Sequence, residues 1–208
     1  GKEVAWVLDW APDDQRPPNV KKVAWCEVAW HPTKLKKVAG VNGPAIGVAC
    51  LDDKRMVAVP ESNLLSAPVV VARFSAISRN ARPSPQGNWI YVSLETGGKN
   101  ARVNAETGEL QMIDSPLTGS VSVAPLSDDV IIWGEDRELY LQRLDEKGMV
   151  LETRWQAVSG FATSLQLLDI DGDGERDVVV FNSGGEVIDV VFGPLWDSAS
   201  QHRLLKQH

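Results

Sequence analysis

The sequence has few of the features that would identify an enzyme, a membrane protein or a helical domain. No segment approaches the roughly 18 consecutive apolar residues of a membrane-spanning helix. Histidine is scarce, with three in the chain. No Walker loop, nucleophile elbow, zinc-protease motif or dinucleotide-binding fingerprint is found. These absences favour a protein without catalytic activity and without a membrane span.

Cysteine is almost absent, since Cys26 and Cys50 are the only two in 208 residues. Two cysteines do not make a disulfide framework, and their spacing fits no zinc motif. Cys50 lies in the alternating segment 46–50, which predicts a buried free thiol. A bridge between the two cysteines is the alternative if the protein works outside the cytoplasm.

The net charge of −7 is unevenly distributed, with the basic residues concentrated in the first half of the chain. The densest group comprises Lys21, Lys22, Lys34, Lys36 and Lys37. It has no arginine clamp and no base-stacking platform, so the interpretation favoured here is solvated turns between strands. Nucleic acid is therefore not expected as a partner, and a surface that faces some other anion is the alternative.

Short segments of alternating apolar residues dominate the rest of the chain, and no convincing long helical pattern is found. From residue 87 onward, turn sequences recur at residues 87, 108, 129 and 148. Two hairpins in roughly forty residues is the spacing of β-propeller blades. The chain is therefore predicted to be all-β, a β-propeller or partial propeller of four-stranded antiparallel blades. About four or five blades are expected over residues 1–193.

Two regions depart from this pattern. Residues 75–83 are polar and predict a loop. Residues 194–208 predict a C-terminal tail outside the propeller. Within the tail, residues 197–205 have an acidic start and a basic end, which predicts either a short helix or no regular structure.

The most informative motif is the acidic segment 169–177, which reads Asp-Ile-Asp-Gly-Asp-Gly-Glu-Arg-Asp. Its aspartates alternate along a tight loop, glycine permits left-handed turns, and oxygen ligands of this kind suit calcium. An EF-hand would need Glu at the twelfth position and an outgoing helix, but Val180 stands there in an apolar strand sequence. The loop is therefore predicted to join two strands, 165–168 and 178–181.

This motif and its flanks resemble the FG-GAP (VCBS) repeat, a family that includes the integrin α-subunit head. In that family a calcium-binding hairpin loop lies in the blades of a β-propeller. The resemblance implies a structural Ca²⁺ held by Asp169, Asp171, Asp173 and Asp177 through side-chain oxygens and by Glu175 through its backbone carbonyl. The alternative is an acidic turn that binds nothing.

Two other segments, 28–32 and 83–93, resemble blades of WD-repeat and quinoprotein-like propellers. The eight tryptophans are spread along the chain, which predicts that they fill the space between blades. Trp6 and Trp10 are the best candidates for an exposed aromatic platform.

The function predicted from these patterns is a non-enzymatic binding or scaffold module, with a protein or a glycan as partner and an extracytoplasmic or secreted location. No catalytic residue is assigned. The alternatives are a propeller-fold enzyme that acts on glycans and a cytoplasmic WD-like adaptor without metal. Because an open stack of sheets leaves unprotected edges, blades from outside this chain are expected to complete the ring if it does not close by itself.

Overall fold

The computed structural model describes residues 33–50, 54–64, 66–95, 97–116, 119, 122–183 and 187–195. It also describes the backbone alone of three further strands, at 5–9, 19–23 and 201–206. All regular secondary structure in these parts of the chain is β-strand, which confirms the all-β prediction. No helix that could cross a membrane is found in them.

The strands in these parts are, in chain order, β1 Ala5–Asp9, β2 Asn19–Val23, β3 Thr33–Leu35, β4 Ala45–Cys50, β5 Arg55–Pro60, β6 Val69–Arg73, β7 Ser78–Pro83, β8 Trp89–Leu94, β9 Lys99–Asn104, β10 Leu110–Asp114, β11 Ser122–Pro125, β12 Val130–Glu135, β13 Glu138–Leu144, β14 Val150–Ala157, β15 Phe161–Leu168, β16 Asp177–Ser183, β17 Val187–Phe192 and β18 Gln201–Lys206.

From β3 onward, each set of four consecutive strands forms one antiparallel sheet. We call these sheets blade 1 (β3–β6), blade 2 (β7–β10), blade 3 (β11–β14) and blade 4 (β15–β18). Strands β1 and β2 pair separately as a two-stranded sheet. The first strand of each blade meets the preceding blade, since β7 contacts β3 and β4, β11 contacts β7 and β8, and β15 contacts β11 and β12. The blades therefore follow one another face to face in chain order.

The turns predicted from the sequence each join two strands of one blade. The first, at residues 84–88, connects β7 to β8, and the Gly87 amide donates to the Ser84 carbonyl at 2.9 Å. The turn near residue 148 connects β13 to β14, and the Gly148 amide donates to the Asp145 carbonyl at 3.1 Å. The residues of these turns therefore determine where one strand ends and the next begins.

Consecutive residues of one strand enter different cores, because side chains alternate between the two faces of a sheet. On β12, Ile131 packs into the core between blades 2 and 3, together with Tyr91 and Trp133. Its neighbour Ile132 packs into the core between blades 3 and 4. Blades covered on both faces thus read as apolar runs rather than as clean alternation.

Arg102 on β9 is a buried polar link between blades 2 and 3, and it is 1% exposed. Its guanidinium lies over the ring of Trp89, 4.2 Å from the centroid. It donates to Gln111 Oε1 at 2.8 Å within blade 2. It also donates to three backbone carbonyls of blade 3, those of Asp128 at 3.1 Å, Asp145 at 2.7 Å and Glu146 at 2.9 Å.

The loop predicted at residues 75–83 is confirmed for residues 75–77 and wrong for the rest, because Ser78–Pro83 forms β7, the first strand of blade 2. Hydroxyl groups and backbone carbonyls form hydrogen bonds between β7 and blade 1. The Ser78 hydroxyl donates to the Cys50 carbonyl at 3.4 Å, and the Thr33 hydroxyl donates to the Ala81 carbonyl at 2.7 Å. Composition alone therefore did not identify a strand whose polar groups are satisfied by tertiary contacts.

Both alternatives predicted for residues 197–205, a short helix or no regular structure, are wrong for residues 201–205. Strand β18, at Gln201–Lys206, pairs antiparallel with β17 and completes blade 4. Part of the expected tail therefore belongs to a blade. A free sheet edge offers backbone hydrogen bonds over six residues, and this outweighs a weak local helix preference.

The free thiol expected at Cys50 is also wrong, because this residue is disulfide-bonded. Its burial was predicted correctly, since it is 0% exposed and packs beside Val48 and Val57. Cys26, the other cysteine of the chain, lies outside the described residues.

Candidate functional site

The acidic loop of residues 169–176 connects β15 to β16, as the sequence predicted. The polypeptide leaves the loop as a strand rather than a helix, so the exclusion of an EF-hand is confirmed. Gly172 and Gly174 have φ of 80° and 89°, the left-handed region in which a side chain would be strained. These glycines allow the loop to turn back on itself at two places.

Backbone amides of the loop hold its carboxylates in place. The two oxygens of Asp169 accept hydrogen bonds from the amides of Gly172 at 2.7 Å and Gly174 at 3.0 Å. Asp171 Oδ1 accepts a longer bond from the Asp173 amide at 3.3 Å. The loop therefore orders its first two aspartates without requiring other side chains.

Asp177, at the start of β16, is the buried anchor of the loop, with 0% of its surface exposed. Its Oδ2 accepts from the amide of Ile170 at 2.7 Å, which ties the two ends of the loop together. Its Oδ1 accepts from the amide of Gly193 at 2.9 Å, which ties the loop to the segment after β17.

Three of the predicted calcium ligands converge. Oxygens of Asp169, Asp171 and Asp177 lie within 4.8 Å of one another, a separation at which one cation can contact all three. Asp173 is not part of this group, and its Oδ1 accepts from the amide of Glu175 at 2.8 Å. Gathering carboxylates in this way costs electrostatic free energy unless a cation or hydrogen bonds offset it. The donor set, all oxygen, fits a hard cation.

Two depressions flank the loop. One, of about 420 Å³, lies against blade 3 and is lined by Glu175 and Arg176 together with Leu126, Val130 and Leu195. The other, of about 480 Å³, lies where the first strands of the four blades end. We call this second one the axial pocket, and its lining includes Lys34, Lys36, Pro83, Ser84, Pro125 and Arg176.

The lysines that cluster in sequence do not act as one surface. Lys34 forms an ion pair with Glu61 at 2.6 Å, and Lys37 forms one with Glu106 at 2.5 Å. The Lys37 ammonium lowers the pKa of the Glu106 carboxyl through its hydrogen bond and its charge. Lys36 lines the axial pocket, as does Lys34. Lys21 and Lys22 lie on β2, where only the backbone is described.

Strand β14, the last strand of blade 3, exposes several apolar side chains. Leu151 is 60% exposed and Trp155 59%, and Met149, in the turn before the strand, is 64% exposed. Exposed and half-buried residues alternate along all eight positions of β14. The two tryptophans predicted to form a platform, Trp6 and Trp10, lie outside the residues whose side chains are described.

Sequence reasoning overlooked Arg176 and Trp155. Arg176 stands inside the acidic motif but is not one of the predicted ligands. The signal that could have identified Trp155 is the sequence of β14, in which Leu151 and Trp155 are four residues apart and so lie on the same face of a strand. Trp133 and Trp89 do fill the space between blades, as predicted for the tryptophans in general.

No protein-family model matches the chain, and no curated protein matches it. Solved structures do match. U3-55K is 12% identical with a TM-score of 0.60, over 78% of this chain and 48% of that structure. The WD40 repeats of RRP9 are 11% identical with a TM-score of 0.59, over 78% of this chain and 47% of that structure.

A third match is a putative 6-phosphogluconolactonase from Bacteroides uniformis, which is 14% identical with a TM-score of 0.63, over 85% of this chain and 55% of that structure. The fold is that of a β-propeller. The similarity to WD40 repeats, together with four-stranded antiparallel blades, confirms the predicted fold class. The chain spans about half the length of each of these structures.

Proposed function

We propose that this chain is a non-enzymatic scaffold module that binds another protein through the exposed face of β14. The observation that carries the proposal is the apolar surface formed by Met149, Leu151 and Trp155, each more than half exposed. We call these three residues the β14 surface. Trp and Met are enriched in protein interfaces, and exposed clusters of large apolar groups on a sheet edge are typical docking sites.

The position of β14 in its blade supports this proposal. The strand is eight residues long and ends its sheet, pairing with β13 on one side only. Trp155 stands opposite Tyr140 across the β13–β14 pair, so an aromatic pair forms one end of the surface. An extended segment of a partner would find unpaired backbone groups at the edge and apolar anchors beside them.

The acidic loop has a structural role in the same proposal. A Ca²⁺ ion held by Asp169, Asp171 and Asp177, with Asp173 and the Glu175 carbonyl as the other expected ligands, would fix the β15–β16 hairpin against blade 3. The convergence of three carboxylates supports this assignment. The FG-GAP resemblance remains part of the proposal, supported by the strand–loop–strand geometry of the motif.

The setting of the module follows from two observations. Structural disulfides persist in oxidising compartments, so the disulfide at Cys50 favours an extracytoplasmic location over a cytoplasmic adaptor. The chain spans about half of each similar propeller, so further blades from outside this chain would complete the ring.

The test of the β14 surface is site-specific photo-crosslinking. A photoreactive amino acid replaces Trp155 in one variant, and in a matched control it replaces Leu110, which is 37% exposed on β10, the last strand of blade 2. In an extract of the source organism, position 155 is expected to give an adduct of one discrete mass that position 110 does not give. Competition with unmodified protein is expected to remove the adduct.

Two outcomes contradict the proposal. Equal labelling at both positions, or none at position 155, would show that the β14 surface is not a docking site. Turnover of a glycan or lactone from a substrate panel that survives Trp155→Ala would favour the enzymatic alternative.

The calcium site is tested by thermal melting. The protein must have different melting temperatures in excess calcium and in excess chelator, or the loop is only an acidic turn.

A further inference from the structure

We infer that the axial pocket binds a compact anionic group, a phosphate or a carboxylate, between Lys36 and Arg176. The pocket has a volume of about 480 Å³, and every charged residue in its lining is basic. This is unexpected in a chain with a net charge of −7. Cations that line one depression attract an anion there.

The cations come from opposite ends of the arc of blades. Lys34 lies on β3 and Lys36 just after it, whereas Arg176 lies at the end of the acidic loop in blade 4. Between them, Pro83 and Pro125 end the first strands of blades 2 and 3. Proline has a fixed φ and no backbone donor, so these positions form a rigid, apolar part of the pocket lining.

Arg176 is held in place before any ligand arrives. The next residue, Asp177, is fully buried and accepts the amides of Ile170 and Gly193. The Arg176 backbone packs tightly on Gly193, because a Cβ built there would lie 3.1 Å from the Arg176 carbonyl oxygen. The guanidinium therefore extends from a fixed backbone, so that binding orders only the side chain.

The lysines contribute differently. Lys34 is engaged by Glu61, and this ion pair neutralises part of its charge. Within the described part of the chain, neither Lys36 nor Arg176 has an ion-pair partner. These two cations are thus available to an incoming anion, and arginine offers the planar fork that matches phosphate and carboxylate oxygens.

The site is tested by NMR titration of the ¹⁵N-labelled chain with sodium phosphate and, separately, with sodium succinate. The buffer is freed of metal on a resin, and ionic strength is held constant with sodium chloride. Saturable shifts are expected at the Arg176 and Gly87 amides, which border the pocket. Lys36→Gln and Arg176→Gln are each expected to weaken binding about three- to tenfold, from the loss of one charge-assisted contact.

Lys147→Gln is the matched control, because Lys147 is an exposed lysine of the β13–β14 turn outside the pocket lining. All three substituted side chains are exposed, so unchanged melting temperatures are expected and will show that the variants fold. Binding of phosphate alone would identify a phosphoryl ligand, and binding of succinate alone a carboxylate ligand. No saturable binding of either, or equal weakening in the Lys147 variant, would overturn the inference.

This inference rests on neither the β14 surface nor the metal. Metal-free titration keeps the two sites separate, because the hydrogen bonds of Asp177 fix the Arg176 backbone without an ion. Failure of the crosslinking test would therefore leave this experiment unaffected, and the converse also holds.

Discussion

Replacing Arg102 by Met should destabilise the contact between blades 2 and 3. The guanidinium is 1% exposed and has no carboxylate partner in its hydrogen bonds. Its four hydrogen bonds of 2.7–3.1 Å go to one amide oxygen of blade 2 and to three backbone carbonyls in two loops of blade 3, and a longer one of 3.5 Å reaches the Tyr91 hydroxyl. Methionine fills a similar volume, and it removes the charge and all the donors.

The magnitude follows from these contacts. Four hydrogen bonds from a charged donor, at about 1 kcal/mol net each, and a desolvated cation–π contact of about 1 kcal/mol stabilise the wild type by about 5 kcal/mol. Burying the guanidinium costs several kcal/mol, and methionine avoids that cost. All three carbonyls also keep other donors, since Tyr91 Oη donates to Asp128, the Gly148 amide to Asp145 and Gln111 Nε2 to Glu146. A net loss of about 3 kcal/mol is expected.

Urea denaturation followed by tryptophan fluorescence measures this change as a shift in the unfolding midpoint at constant slope. A loss of about 3 kcal/mol corresponds to a melting temperature lower by roughly 6–12 °C for a chain of this size. Arg102→Lys should recover less than half of the loss, because an ammonium cannot reach acceptors on two loops at once. Arg73→Met, at an exposed arginine of β6, is the control and should change stability by less than about 0.5 kcal/mol. If Arg102→Met unfolds within about 0.5 kcal/mol of the wild type, the role assigned to this residue is refuted.

Three further predictions concern other parts of the fold. Asp171→Ala should lower the melting temperature in calcium but hardly in chelator. Asp177→Asn should destabilise the fold by about 1–3 kcal/mol in both, because Asp177 also accepts hydrogen bonds from two backbone amides. The same calcium dependence of both variants in calorimetry would contradict this distinction. Burial raises the pKa of Tyr91, with the nearby Arg102 lowering it less, so the unfolded state ionises first and stability should fall above about pH 10. That fall should be smaller in Tyr91→Phe, and an unchanged alkaline limb in urea titrations would argue against it. Gly134→Ala should cost about 1–3 kcal/mol of stability, because the new methyl group would lie 3.0 Å from the Cβ of Ala162 across the contact between blades 3 and 4. A urea midpoint equal to that of the wild type would show that the interface can relax.

The strand sequence and its punctuation were predictable because they depend on local chemistry. Turn sequences at residues 87, 108, 129 and 148 fall between paired strands, and the acidic motif leads from one strand into another. Each of these features is decided within a few residues by glycine, proline, aspartate and asparagine. The all-β class and the blade-like spacing followed from them.

The errors occurred where the partner of a segment lies far away in the sequence. Strand β7 looks like a loop until the carbonyls and hydroxyls of blade 1 are placed beside it. Strand β18 has a sequence that predicts no strand, and it forms because the edge of β17 is open to it. The disulfide of Cys50 likewise depends on a long-range approach of two chain segments.

By itself, the sequence determined the all-β class, the positions of the hairpins and the loop that gathers three carboxylates. Only the tertiary structure decided which side chains bridge blades and which face solvent. Arg102 and Arg176 are the same residue type at strand and loop positions, yet one is enclosed by carbonyls of a neighbouring blade and the other lines an open pocket. The difference arises because the free energy of a charged group depends on the distant groups that surround it, and these are set by the packing of one blade on the next.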